Sequence, residues 1–234
     1  MLQIRCQNLS LGYDRIPVSE PVSFEVKEGD YLCIVGENGS GKTTLMKTLL
    51  HLMEPISGEI LWGDGVTKNQ IGYLPQQAET KKDFPATVWE IVTSGCVGRG
   101  KSGLFLGRED KLLARRQMER LEISHLEKKS YRTLSGGQQR RVLLARALCA
   151  AEKILLLDEP VAALDPHATE ELYRTIEKLN RESGVTILMI THDLSAVSRY
   201  ASSVLHMGDT PLFYPTLSKY LENRGVGGKE GTHE

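Results

Sequence analysis

The sequence predicts an α/β fold. It has a mainly parallel sheet with helices on both faces, an N-terminal antiparallel β subdomain and a helical insert. Three observations carry this. Continuous apolar runs recur at Tyr31–Val35, Ile154–Leu157 and Thr186–Ile190, the pattern of strands buried on both faces. Helix-like segments alternate with these runs, which argues for parallel pairing. From about residue 78 to residue 134 the character changes to charged helical stretches around a glycine-rich loop.

Residues 2–30 alternate polar and apolar and carry the turn residues Gly12, Asp14, Pro17, Pro21, Gly29 and Asp30, so they read as short antiparallel strands. Tyr31–Val35 is a buried strand that feeds a glycine-rich loop. A helix is expected over Thr43–Met53, its end marked by Pro55 and Gly58. Ile60–Trp62 and Ile71–Leu74 read as further strands. In the insert, Gly95, Gly98, Gly100, Gly103 and Gly107 form a loop before a helix over Glu109–Glu122. That helix has acidic residues in its first turn and Leu113, Ala114, Met118 and Leu121 on one stripe. Further helices are expected over Gln138–Ala150 and His167–Ser183. The polar, Gly-rich residues 223–234 read as a disordered tail. The expected organisation is one domain over 1–222, with the insert (about 78–134) interrupting its core.

The chain has 234 residues, enough for a sizeable core, and a formal net charge of -1, so it carries no strong field for nucleic acid or acidic lipid. Cys6, Cys33, Cys96 and Cys149 are far apart, with no C-x-x-C. This suits a reducing cytosol without a disulfide framework or zinc site. The N-terminus lacks a secretory apolar region, and no stretch approaches the ~18 apolar residues of a membrane span. Any membrane role is therefore expected from the cytoplasmic side, through a partner.

Three motifs carry chemistry. Gly36-Glu37-Asn38-Gly39-Ser40-Gly41-Lys42-Thr43 fits G-x-x-x-x-G-K-[ST], in which backbone N–H groups and a helix N-terminus cradle phosphates. Lys42 is expected to reach the β- and γ-phosphates, and the Thr43 hydroxyl to hold Mg²⁺. Ile154–Leu157 ends in Asp158 and Glu159: the first is placed to help hold Mg²⁺, the second to polarise an attacking water as general base. Between these two motifs lies Leu134-Ser135-Gly136-Gly137-Gln138, a serine and two glycines at the start of an apolar helix, which is another anion site.

Together, in this order, the motifs resemble the ATPase subunit of ATP-binding cassette (ABC) systems over about residues 2–222. The resemblance implies a RecA-like P-loop NTPase fold, ATP and Mg²⁺ as cofactors, and ATP hydrolysis. It implies that Gly36, Asn38, Gly39, Ser40, Gly41, Lys42, Thr43 and Thr44 hold the nucleotide. Two copies are implied to pack head to tail, so that Ser135, Gly136, Gly137 and Gln138 close on the ATP of the other subunit. Gln76 matches the Q-loop glutamine near Mg²⁺ and the water, which adds it to Thr43 and Asp158 as a metal residue. His192 matches the switch histidine at the γ-phosphate. Tyr13 matches the aromatic that stacks on adenine; it also reads as a half-buried strand tyrosine. Asp165 matches a dimer-contact aspartate; it also reads as a helix N-cap before Pro166, and both can hold. Val161 stands where the family often has Thr or Ser.

Among ABC systems, nucleic-acid ATPases split their motifs with a long coiled coil. Here about 90 residues separate the P-loop from the signature, without sustained heptads. Translation-associated proteins carry two cassettes and a basic surplus. Exporters usually fuse the cassette to membrane spans. An importer subunit remains, peripheral at the cytoplasmic face, with an integral membrane permease, a solute-binding protein as indirect partner and no nucleic acid. Tyr73-Leu74-Pro75-Gln76-Gln77 followed by Asp83-Phe84-Pro85-Ala86-Thr87-Val88 is similar to zinc and manganese uptake cassettes, while iron-chelate and cobalamin importers are near relatives. The strip from Gln76 to about Ser94 is expected to receive a permease helix. Phe84, Val88 and Trp89 either contact that helix or fill the insert's own core.

Overall fold

The computed structural model describes residues 1–63, 66, 71–76, 85–97, 106–151 and 153–227. In chain order the elements begin with β1 (Leu2–Ser10), β2 (Gly12–Tyr13), β3 (Ile16–Pro17), β4 (Val22–Lys27), β5 (Tyr31–Gly36), α1 (Lys42–Leu49) and β6 (Ser57–Trp62). There follow β7 (Ile71–Leu74), α2 (Val88–Ser94), α3 (Arg108–Arg120), α4 (Gly136–Ala150), β8 (Ile154–Asp158), α5 (Pro166–Ser183) and β9 (Thr186–Ile190). The described chain ends with α6 (Leu194–Tyr200), β10 (Ser203–Met207), β11 (Leu212–Tyr214) and α7 (Leu217–Gly227). The chain divides into two compact units, one of Met1–Val66 with Leu188–Glu234, the other of Thr67–Ile187.

The first unit contains the N-terminal antiparallel sheet, ordered β4-β1-β6. Cys6 pairs with Phe24 on one side and Ile60 on the other, and Ile4, Cys6, Phe24 and Val26 are buried. The same unit holds the strand order β11-β10-β5-β9. β10 runs parallel to β5, with Leu205 opposite Ile34, and β11 is an antiparallel edge. β5 buries Tyr31 through Val35, as its continuous apolar run requires. Strand β9 gives its last three residues to this unit and its first two to the other.

In the second unit the order is β9-β8-β7, and β8 and β7 are parallel from Ile71↔Ile154 to Leu74↔Leu157. The central sheet is mainly parallel, as expected. α4 lies against both β7 and α2 at backbone distance. A Cβ on Gly72 would sit 2.4 Å from the Ala147 carbonyl oxygen, and one on Gly95 would sit 2.1 Å from that of Arg146. Neither position has room for a side chain. α4 also buries Val142, Leu144, Ala145 and Leu148 completely. Each of its larger apolar side chains contributes about 1.5–3 kcal/mol of transfer free energy. α5 presents Leu172, Tyr173, Ile176 and Leu179 on one stripe, and Gly184 ends it at φ 64°.

Two expected boundaries move. The helix after the glycine-rich loop stops at Leu49, not Met53, because His51 adopts a left-handed φ of 55° that α-helix cannot continue. α7 runs to Gly227, so residues 223–227 are helical where a disordered tail was expected. Tyr220 anchors this helix: it is buried, edge-on to Tyr214 at 5.4 Å, and carries the Arg224 guanidinium over its ring. Residues 228–234 lie outside the described residues, as do Gln77, Phe84, Gly98, Gly100 and Gly103.

Candidate functional site

In the first unit, β5 delivers the phosphate-type loop. Gly36, Gly39 and Gly41 have φ of 144°, 86° and 90°. A Cβ on Gly36 would lie 2.2 Å from the Met207 carbonyl oxygen, so this position is closed to any other residue. α1 starts at Lys42 with Gly41 as N-cap and no side-chain cap, which leaves its first N–H groups free of side-chain competition. The Lys42 ammonium donates to the carbonyls of Gly36 (2.9 Å) and Glu37 (2.6 Å), which holds it across the loop. Ser40 Oγ is buried without a hydrogen-bond partner among the described residues. Uncapped N–H groups, a held ammonium and an orphaned hydroxyl suit the oxygens of a polyphosphate. Asn38 and Thr43 are exposed and Thr44 is buried.

Tyr13, on β2, is 47% exposed, in a hairpin whose turn residues Asp14 and Arg15 have φ of 50° and 65°. Thr44 Oγ1 donates to its hydroxyl at 3.4 Å, and that bond is the main cause of a lowered phenol pKa. An exposed ring beside the loop is available for stacking. His192 is exposed just after β9, where Asp193 caps α6 by accepting from the N–H groups of Ser195 and Ala196. His192, Gly36, Thr191, His206, Tyr214 and Tyr220 border a cavity of about 300 Å³.

The second unit holds the carboxylates. Every residue of β8 is buried, and Asp158 at its end is 4% exposed. The Tyr73 hydroxyl donates to Asp158 Oδ2 at 3.5 Å. Burial first, then the Asp158 charge, pushes that phenol to about 12, so it stays a neutral donor. Glu159 turns away at φ 44°, a left-handed conformation uncommon for a glutamate and found at sites where geometry outweighs strain. Its Oε2 accepts from Gln76 Nε2 at 2.7 Å. The fold thus brings Gln76 and Glu159 together, although 83 positions separate them.

Ser135 and Gln138 form a reciprocal capping box at the start of α4: Ser135 Oγ accepts from the Gln138 N–H, and Gln138 Oε1 accepts from the Ser135 N–H. Ser135 and Gly136 are exposed. Gly136 and Gly137 pack against Leu164 and Ala168, on either side of Asp165. Asp165 is itself the N-cap of α5, accepting from the Ala168 N–H at 2.9 Å. Of the docking candidates, Val88 is fully buried, and Trp89 is half-buried with the Arg115 guanidinium over its ring. Phe84 lies outside the described residues.

Two residues escaped sequence reasoning, Tyr73 on Asp158 and the buried Arg140, whose Nη1 donates to the Pro75 carbonyl at 3.1 Å. An arginine inside an apolar helix was the available signal for the second; nothing in the sequence marked the first. Among the described residues, no helix is long and apolar enough to cross a membrane, and no cluster of three His, Cys, Asp or Glu residues could hold a metal ion.

Residues 19–162 match the ABC transporter family model. The zinc uptake system ATP-binding protein ZurA of Listeria innocua is 34% identical to this chain, covering 93% of it and 87% of ZurA. The ferric enterobactin transport ATP-binding protein FepC of Escherichia coli K12 is 36% identical, covering 87% of this chain and 77% of FepC. The dimeric structure of MJ0796, a bacterial ABC transporter cassette, matches with a TM-score of 0.69 at 27% identity, covering 88% of this chain and 94% of that one. ABC ATPase domains bind ATP with Mg²⁺, and these cassettes act as dimers with a membrane permease. With the phosphate-type loop, the paired carboxylates and the capped signature helix in place, this chain belongs to the ABC transporter family as an ATP-hydrolysing subunit.

Proposed function

We propose that this chain powers the uptake of a divalent metal ion, zinc or manganese, through a separate permease. It works as a head-to-tail homodimer on the cytoplasmic face of the membrane, with a solute-binding protein as indirect partner. Its ATPase domain spans 1–222, with the insert at about 78–134. The observation that carries the hydrolytic part is the 2.7 Å bond from Gln76 to the left-handed Glu159, beside the buried Asp158. The similarity to ZurA supports the metal.

Gly36, Asn38, Gly39, Ser40, Gly41, Lys42, Thr43 and Thr44 hold the phosphates, and Tyr13 stacks on the base. Thr43, Asp158 and Gln76 would hold Mg²⁺, which supplies charge neutralisation at the phosphates. Glu159 takes a proton from water as its oxygen bonds to the γ-phosphorus and the bond to the bridging oxygen breaks. Gln76 orients that water and His192 contacts the γ-phosphate. Ser135, Gly136, Gly137 and Gln138 close on the nucleotide held by the other copy, which makes two composite sites.

A second reading, an iron-chelate importer, is favoured by the similarity to FepC. Reconstitution with the candidate permease and binding protein in ATP-loaded liposomes tests both. ATP-dependent uptake of zinc or manganese supports the first reading, and uptake of a ferric chelate alone replaces it. Failure to associate with any membrane protein, with ATPase activity intact, would point to a soluble ABC ATPase. Mixing Ser135→Arg with Glu159→Gln chains tests the geometry: head-to-tail pairing leaves one intact site and restores activity, whereas a purely cis role for Ser135 restores none.

A further inference from the structure

Among the described residues Arg140 is the largest fully buried side chain, 1% exposed, one turn into α4. Taking a guanidinium out of water costs several kcal/mol unless its donors are matched. Here they are matched poorly. Nη1 donates to the Pro75 carbonyl oxygen at 3.1 Å, while Nε and Nη2 are buried with no hydrogen-bond partner among the described residues. No carboxylate balances the charge through a salt bridge among the described residues. Among the described residues the titratable neighbour that acts on it is Tyr131, whose buried hydroxyl likewise has no hydrogen-bond partner there. An apolar side chain of similar length would fill the same slot at lower cost, so packing alone does not account for an arginine here.

The single bond it makes falls on one particular peptide. The carbonyl of Pro75 and the Cα of Gln76 belong to the same rigid plane, so a donor on that oxygen sets the direction from which the Gln76 side chain departs. Gln76 in turn holds Glu159 at 2.7 Å. At the other end, Arg140 stands five residues from Ser135, about 7.5 Å along one helix. Ser135 is locked to that helix by the capping box.

We infer that Arg140 is a positioning residue that couples the signature serine to the glutamine and glutamate of the water site through the Pro75–Gln76 peptide. A shift of α4 when Ser135 meets the nucleotide of the other copy carries the planar guanidinium with it and re-aims Gln76. The inference rests on the reading of Gln76, Glu159 and Ser135 given above, and it adds the link between them. All four residues and the peptide lie in one compact unit.

The test is a double-mutant cycle on the full-length dimeric chain with Mg·ATP. Arg140→Met keeps the length and removes every donor. The expected result is a kcat lower by about ten- to a hundredfold, the scale of a misplaced catalytic group. The KM for ATP stays within about twofold, because the loop of the other unit is untouched, and the melting temperature stays level or rises. Arg140→Lys, with its charge and one donor, recovers part of the turnover, and it serves as the second variant if the methionine chain does not fold. In a Gln76→Ala background, Arg140→Met changes kcat by less than about twofold, because the residue acts through Gln76. The same loss in that background as in the native one would overturn the inference, as would native turnover in Arg140→Met. Native turnover in Gln76→Ala alone would instead remove the reading on which it rests.

Discussion

Ser135 is given two jobs, and one substitution separates them. As N-cap of α4 its Oγ accepts from the Gln138 N–H at 3.3 Å. Aspartate makes the same bond and adds a charge that suits a helix N-terminus, so Ser135→Asp should alter stability by no more than about 0.5 kcal/mol, in either direction. Alanine lacks the acceptor: Ser135→Ala should cost about 1 kcal/mol, which lowers the melting temperature by roughly 2–4 °C for a chain of this size. Function reverses the order. If the signature closes on a γ-phosphate, an aspartate there sets a negative charge some 4 Å from another. At an effective dielectric of about 20 that repulsion is about 4 kcal/mol, or roughly a thousandfold. Ser135→Asp should therefore melt like the native chain, yet lose ATP-dependent dimerisation and nearly all phosphate release. Ser135→Ala should melt earlier and keep more activity than the aspartate variant. Calorimetry, ATP-dependent size-exclusion shifts and phosphate release measure all of this. Native turnover in Ser135→Asp would refute the placement of the signature against phosphate.

Glu159→Gln removes the proton acceptor while keeping the shape that Gln76 grips. It should lower kcat by about 10²–10⁴ with ATP binding retained, and comparison of nucleotide titration with phosphate release decides it. Lys42→Met deletes the ammonium held over the loop and should weaken ATP binding by about 1.5–3 kcal/mol, read by calorimetric titration; unchanged affinity would disprove its assigned role. The buried thiols predict an alkaline limit. Burial pushes Cys6 up to about 12 and raises Cys33 as well. The unfolded chain ionises these thiols first, near pH 9, so stability present below that pH is lost as the pH climbs towards 12, on the order of 4 kcal/mol for Cys6. Unfolding midpoints from pH 8 to 11 should fall, and less steeply in Cys6→Ala.

The parts of the site legible in the sequence are those whose chemistry is local in the chain. β5, its loop and the start of α1 form one continuous stretch, and the apolar run of β8 leads straight into Asp158. Their positions could be read because spacing along the chain alone places them. Asp165 was read both as a helix cap and as a dimer group, and Ser135 as an anion and dimer group; the caps are what the chain's own geometry displays. Tyr73 and Arg140 were not legible as partners, since each depends on a tertiary neighbour: β7 in register with β8, and α4 against the turn after β7. Residues 194–217 also went unread, as α6, β10 and β11 are short elements, and β10 is placed by its pairing with β5 and not by a pattern of its own.

The two glycines that admit α4 so closely have a kinetic consequence. Consecutive carbonyls of one turn, at Arg146 and Ala147, are met by Gly95, the C-cap of α2, and Gly72 of β7, so the helix is gripped from two directions at its C-terminal end. The last turns of α4 cannot open without parting a helix and a strand together. Their amides should be among the slowest in this unit to exchange with deuterium, while those at the exposed signature end exchange earlier. Such a gradient along one helix would mark a lever with a fixed root and a responsive tip.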